Sequence, residues 1–242
     1  RLSPDGTLVA LSSHGNAAHV YSLATGDLLG APLVHEDTVS SVSFGPRGDV
    51  LATVSRTGVV RVWQLRAFAE PDRTFQHQLD VSQVAFDAQS RMATMGESVV
   101  NVWDWRSGAR VAGPLVHPES LFVVDIAPKG DRVAAASRGS TVYRDGASRG
   151  GTVYMWDVSS AEQTIAPIAH EERIVDVEFH PDGSVLAIAT YGGAFLWDPD
   201  TGELMAPVIH EGEFTYGVAF DRAGSRLAVG TADGVEVWSL PP

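Results

Sequence analysis

Residues Gly146-Ala147-Ser148-Arg149-Gly150 spell Gly-x-Ser-x-Gly, the spacing at which acyl-transfer enzymes carry an attacking hydroxyl, with Ser148 at its centre. That chemistry needs a strand turning sharply into a helix, so that the serine is lifted beside backbone N–H groups that hold the oxyanion. The next residues, GTVYMW, alternate as a strand does, and no helical pattern stands nearby. The sequence therefore assigns no catalytic residue.

Metal chemistry fares no better. His35, His77, His117, His170 and His210 recur once per stretch of similar sequence. Zinc requires nitrogen ligands converging at ~2.0–2.1 Å, whereas one histidine per repeat spreads the imidazoles apart, so these five read as structural. His14 and His19 flank the first turn, and His180 occupies the turn FHPDG. The chain has no cysteine, which removes disulfides, thiolate nucleophiles and cysteine metal sites together. Arg47-Gly48-Asp49 spells an adhesion triplet but falls on a turn shared with PDGTL and PDGSV. No phosphate loop, dinucleotide glycine pattern or calcium loop is present, so no cofactor and no metal are expected.

One arrangement does point to binding. Acid follows the recurring histidine: Glu36 and Asp37, Glu119, Glu171 and Glu172, Glu211 and Glu213. Equivalent places in a repeat should lie on one face, where blade-symmetric carboxylates can steer and hold a basic protein or peptide; the alternative is a solvated face that keeps an acidic protein soluble. Thirty acidic against seventeen basic residues give a formal charge of −13, which repels nucleic acid and anionic lipid as primary partners. No apolar run reaches membrane-span length and no signal segment opens the chain, so a cytoplasmic location is expected.

The elements that must position these residues come from repetition. A turn signal after an apolar residue occurs six times: LSPDG, FGPRG, FDAQS, IAPKG, FHPDG and FDRAG. Each is followed by an apolar residue and alanine, marked by Ala10, Ala52, Ala93, Ala134, Ala187 and Ala228, and then by an alternating segment ending in an aromatic anchor. The anchors Tyr21, Trp63, Trp103, Trp156, Trp197 and Trp238 stand 42, 40, 53, 41 and 41 residues apart. A period near forty with several short strands implies an all-β fold in which small four-stranded sheets repeat radially, a β-propeller.

These residues resemble the WD-repeat family. The dipeptide that names it stands at Trp103-Asp104, Trp156-Asp157 and Trp197-Asp198, while the other anchors read Tyr21-Ser22, Trp63-Gln64 and Trp238-Ser239. The family's histidine before the innermost strand is matched by the five named above. The resemblance implies a network among that histidine, a Ser or Thr, the Trp and an Asp in the turn before the anchor strand. Here those turns offer only Asp233 and Glu97, so incomplete networks are expected, with tryptophan packing contributing more. The resemblance also implies a non-enzymatic interaction module. The APLVHE wording is similar to propellers appended to bacterial signalling ATPases, kinases or protease-like effectors, where they act as sensors or scaffolds. The alternative is an enzymatic propeller with a metal or polar site in its central channel, but the sequence shows no convergent set of inward carboxylates or histidines.

In family terms Arg1 enters at the end of an innermost strand, and VWSLPP finishes a third strand. Six repeats with incomplete first and last copies therefore predict residues 1–242 as one propeller domain, a section of a seven-bladed or larger propeller whose remaining parts lie in a longer chain. The 53-residue spacing contains a duplication: Ala136 to Tyr143 recurs as Ala147 to Tyr154. With Asp145-Gly146 as a hairpin turn, the insertion at 136–154 is expected to form a two-stranded finger carrying Arg138, Arg144 and Arg149 on the binding face. Equal pairing about that turn would set Trp156 opposite Ala135, where the repeat prefers Ala134, so a bulge or longer turn is expected.

Overall fold

A computed structural model describes residues 1–12, 15–68, 70–77, 80–139 and 150–240. Six antiparallel sheets follow one another along the chain, and no helix occurs among the described residues. Sheet one holds β1 (Leu8–Ser12), β2 (Ala17–Ser22) and β3 (Leu28–Val34). Sheet two holds β4 (Val39–Phe44), β5 (Val50–Ser55), β6 (Val59–Gln64) and β7 (Arg73–Gln76). Sheet three holds β8 (Gln83–Phe86), β9 (Arg91–Gly96), β10 (Val99–Asp104) and β11 (Arg110–Val116). Sheet four holds β12 (Leu121–Ile126), β13 (Arg132–Ser137), β14 (Thr152–Asp157) and β15 (Ile168–Ala169). Sheet five is β16 (Ile174–Phe179), β17 (Leu186–Thr190) and β18 (Gly193–Trp197), and sheet six is β19 (Thr215–Phe220), β20 (Arg226–Thr231) and β21 (Gly234–Ser239). The chain divides into two compact units, Arg1–Pro114 and Leu115–Pro242, the boundary falling inside β11.

The turn signal works as its chemistry requires. Gly48 sits at φ 71° and Gly183 at φ 82°, a region that costs other residues a Cβ clash. The third repeat has Ser90 at this place, and Asp87 takes over: its Oδ1 accepts the N–H groups of Gln89 and Arg91, both at 2.8 Å. The middle strands β5 and β17 are buried at every residue, which is why they show no polar–apolar alternation; Thr53, Ser55 and Thr190 are their buried polar members.

In every sheet the anchor pairs with the residue before the marker alanine: Tyr21 with Val9, Trp63 with Leu51, Trp103 with Met92, Trp156 with Val133, Trp197 with Leu186 and Trp238 with Leu227. The expected pairing of Trp156 with Ala134 or Ala135 is thereby corrected. The fourth repeat keeps the register of the others: its described ladder ends with Ala136 opposite Val153, so the eleven added residues fall between these two positions.

Four strands per sheet is also too uniform a description. Sheet five has three strands plus isolated bridges, Trp197 with Leu204 and Ala194 with Ile209, and the fourth strand of sheet four is two residues long. Pro167 and Pro207 bring no N–H to the ladder there. β3 and β11 also contain proline but stay continuous, each having a glycine ahead of it at positive φ, Gly30 (φ 67°) and Gly113 (φ 111°).

The cores are slabs between consecutive sheets. In the first unit Val20 and Leu33 of sheet one pack with Val42, Leu51 and Trp63 of sheet two, and Val60, Val62 and Phe75 of sheet two pack with Val84 and Met92 of sheet three. In the second unit Val153 and Met155 meet Ile174, Val177 and Ile188, while Leu196 meets Val218 and Leu227. The corresponding side chains of β21 have no such cover among the described residues: Val235 is 72% exposed and Val237 62%.

Candidate interaction face

The recurring histidines sit beneath the loop ends of the sheets, each against an aromatic of its anchor strand. Their hydrogen bonding changes from repeat to repeat because the residue two places before the anchor, and its partner on the middle strand, change. In sheet two, Thr53 Oγ1 lies 2.6 Å from His35 Nε2 and accepts the indole N–H of Trp63 at 2.7 Å. That is the family relay without its carboxylate. In sheet three, Thr94 accepts from Trp103 Nε1 at 2.9 Å, but His77 Nε2 is buried with no partner among the described residues.

The corresponding residues of sheets four and five are Ala135 and Ile188, so the hydroxyl is gone. His117 turns instead to the carbonyl of Thr152 at 3.2 Å and packs edge-on to Tyr154. His170 Nε2 and Trp197 Nε1 both have no partner among the described residues, and the imidazole stands edge-on to the Phe195 and Trp197 rings. His210 is flanked by Glu213 and Glu236 at 3.2 and 3.1 Å, so its carboxylates come from its own loop and from β21 rather than from the turn containing Asp233. Burial holds His35, His77 and His170 at a pKa of about 4, with Arg61 adding to the effect at His35, and it lowers His117 as well. These four imidazoles are neutral at pH 7.

The acidic residues occupy the loop segments that follow those histidines. In the first unit Glu36 is exposed and Asp37 half-buried ahead of β4. In the second unit Glu119, Glu171, Glu172, Glu211 and Glu213 are all exposed ahead of β12, β16 and β19. The second unit's loops are tied into one surface by backbone bonds: Gly151 N–H to the Glu172 carbonyl at 3.2 Å, Tyr191 N–H to Arg173 at 3.0 Å and Gly212 N–H to Gly192 at 2.9 Å.

With the carboxylates and the expected Arg138 go residues that sequence reasoning missed: Phe122, Arg173, Tyr191, Phe214 and Tyr216. Arg138 stacks its guanidinium 3.5 Å from the centre of the Phe122 ring. Arg173 lies over Tyr191 at 5.5 Å, and Tyr191 meets Phe214 edge-on at 5.0 Å. Phe214 is 57% exposed and Tyr216 59%. Phe214 and Tyr216 sit in HEGEFTYG with aromatics two apart at the start of a strand, a spacing that places both on one side of the sheet. Arg144 and Arg149 lie outside the described residues, so of the expected basic finger only Arg138 is placed. Its strands end at Ser137 and resume at Thr152. The two legs are in close touch at their base: a Cβ added to Gly139 would overlap Gly150, the same residue in the second copy.

Carboxylates on the innermost strands are a second feature unforeseen from sequence. Asp125 of β12 accepts the N–H of Phe179 at 2.8 Å, Asp176 of β16 accepts that of Val218 at 3.2 Å, and Glu178 accepts that of Phe220 at 3.0 Å. Each clasps the next innermost strand, and Gly217 leaves room, since a Cβ there would lie 3.2 Å from Asp176 Oδ2. Three acids on innermost strands therefore bind backbone, the charge-assisted use of a carboxylate. No group of three or more His, Cys, Asp or Glu suited to a metal occurs among the described residues. No helix there is long and apolar enough to cross a membrane.

Comparison with known proteins agrees with this architecture. Residues 26–64 match the family model described as "WD domain, G-beta repeat". The chain is 23% identical over 196 residues to Periodic tryptophan protein 2 of Arabidopsis thaliana, covering 79% of this chain and 20% of that protein. It is 30% identical over 105 residues to the Periodic tryptophan protein 2 homolog of Neurospora crassa, covering 43% of this chain and 12% of the relative. It thus spans a fifth or less of these relatives' lengths. A chain in the crystal structure titled "Crystal Structure of Mitotic Checkpoint Complex" superposes with a TM-score of 0.81 at 17% identity, over 100% of this chain and 74% of that one. With six ordered copies of turn, marker alanine and aromatic anchor, each on an antiparallel sheet, the chain has the fold of a β-propeller, carries a WD repeat at residues 26–64 and is similar to WD-repeat proteins.

Proposed function

We propose that this chain is a non-enzymatic module that docks a protein or peptide on the loop end of its second unit. The observation that carries this reading is the exposed cluster of Phe122, Phe214 and Tyr216 with Arg138 and Arg173 among them. Aromatic and arginine side chains are the anchors that contribute most to binding when they are covered. Glu119, Glu171, Glu172, Glu211 and Glu213 outnumber the two arginines around that cluster, which favours a basic partner with an apolar anchor and supplies long-range attraction to it. Glu36 and Asp37 repeat the same acid after His35 in the first unit. The innermost-strand acids are engaged with backbone, which supports a structural rather than a catalytic role for them. The APLVHE wording favours a setting in the cytoplasm as the sensor or scaffold part of a larger bacterial signalling or effector protein, which also provides the remaining parts of its own chain as partners.

The test is proximity capture by the full-length protein with a photo-reactive phenylalanine at position 216 in its native cells. Capture of a protein at a lysine- or arginine-rich segment, lost in Phe214→Ala, is the expected result. Capture that survives Phe214→Ala and charge reversal at Glu211 and Glu213 would overturn the reading.

A further inference from the structure

Sheet three holds a cavity of about 360 Å³, lying wholly in the first unit, at the place where sheet two has its closed relay. Among the differences between the two sheets there, Arg61 in sheet two spans to the Val34 carbonyl at 2.5 Å, whereas its counterpart in sheet three is the shorter Asn101. Trp103, Val81, Val99 and Pro114 give the cavity apolar walls, and the exposed Arg110 stands at its edge.

Two polar atoms of lining residues are buried without a partner among the described residues, His77 Nε2 and Asn101 Oδ1. Such atoms cost free energy unless something bonds them, and the space beside them is far larger than one water needs and within the range of small-ligand pockets, roughly 300–1,000 Å³. The chemistry of the pair restricts the occupant. Asn101 Oδ1 only accepts, so the ligand must donate. Buried neutral His77 donates or accepts at Nε2 according to tautomer. A primary carboxamide suits either case, because its NH2 carries two donors and its oxygen accepts. A carboxylate offers no donor to Asn101, and a hydrocarbon offers neither.

We infer that this cavity is a binding site for a primary carboxamide, brought by a free amide such as glutamine or by an Asn or Gln side chain of a bound peptide. The site is separate from the proposed protein-docking face, and its success or failure is independent of that reading. Arg110 at the edge favours a ligand that also carries a carboxylate, which separates the two sources: free glutamine presents one and a blocked glutamine within a peptide does not.

The experiment follows the Trp103 indole N–H by NMR, assigned with Trp103→Phe, while free L-glutamine, N-acetyl-glutamine methylamide, L-glutamate and L-leucine are added. A ligand of this size binds in the millimolar range, so titration runs to about 50 mM. A saturable shift with either carboxamide, at least tenfold weaker with glutamate and leucine, is the expected outcome. Preference for glutamine that vanishes in Arg110→Ala identifies the free amide, and equal binding of the blocked form identifies a peptide side chain. His77→Phe keeps the edge-on ring beside Trp103 and removes the nitrogen, and should abolish the shift. No saturable shift with either carboxamide, an equal response to leucine, or unchanged binding in both His77→Phe and Asn101→Leu would overturn the assignment.

Discussion

His35 Nε2 and Thr53 Oγ1 stand 2.6 Å apart, and the same hydroxyl holds the Trp63 indole. One threonine thus satisfies two buried ring nitrogens, and its loss strands both. Each hydroxyl also donates to an anchor-strand carbonyl at 3.4 Å, so the histidine contact is the difference between them: Thr53→Val should cost about 2–4 kcal/mol, against about 1–2 kcal/mol for Thr94→Val. Urea unfolding of the two variants gives the comparison, and equal costs would refute the histidine contact.

Sheet five allows the converse test. His170 Nε2 and Trp197 Nε1 lack partners among the described residues, and Ile188 stands where Thr53 stands in sheet two. Ile188→Thr removes buried carbon but offers both nitrogens a bond. The net change should fall within about 1 kcal/mol, well short of the 2–5 kcal/mol typical of large aliphatic truncations. A full cavity-sized loss of stability would show that the hydroxyl does not reach either ring.

Stability should fall on acidification before the carboxylates titrate. His35, His77 and His170 are held near pKa 4 by burial, against about 6.5 in the unfolded chain. Between those values the unfolded state binds more protons than the native state, so unfolding free energy rises with pH and is lost as pH drops from about 6.5 toward 4. The slope is on the order of 1 kcal/mol per histidine per pH unit. Urea midpoints at pH 7.5, 5.5 and 4.5 measure it, and His170→Phe should flatten it.

The clasp from Asp176 to Val218 has a local readout. Asp176→Ala should speed amide hydrogen exchange at Val218 by about tenfold or more, matching a lost charge-assisted bond of about 1.5–3 kcal/mol. Phe220, held by Glu178, should change less. Identical acceleration at both amides would mean that the whole sheet opens and that the bond to Val218 is not the local restraint.

Val237→Lys and Val62→Lys compare one position in two sheets. Val62 is fully buried, and the lysine there should unfold its sheet. In residues 1–242 alone, where Val237 is 62% exposed, the change should stay within about 0.5 kcal/mol, read by urea unfolding. A large loss of stability at Val237 would contradict its exposure.

The periodic features were legible in the sequence because each is dictated locally: Pro-x-Gly turns, marker alanines and aromatic anchors fix strand order without tertiary information. The two-residue β15 and the bridged outer segment of sheet five were not read, although the lack of a glycine one or two places before Pro167 and Pro207 sets them apart from β3 and β11. The acids after each histidine were visible as a pattern. Phe122 and Arg138 were not visible as a pair, being sixteen residues apart and joined only by the β12–β13 ladder. Asp125, Asp176 and Glu178 looked like ordinary polar positions of alternating strands, because their partners are backbone N–H groups of the next sheet and backbone has no sequence signal.

Gly139 and Gly150, the same residue in two copies, meet at the base of the insertion in sheet four. A tandem copy of a turn begins and ends on the same residue types, so it inherits the end-to-end gap of the turn it came from. The strands on either side therefore need no adjustment at the moment of duplication. The same logic holds for another round: the fourth repeat is a place where this lineage can lengthen or shorten in steps of eleven residues without rebuilding a blade, and sister proteins should differ there by whole copies rather than by single residues.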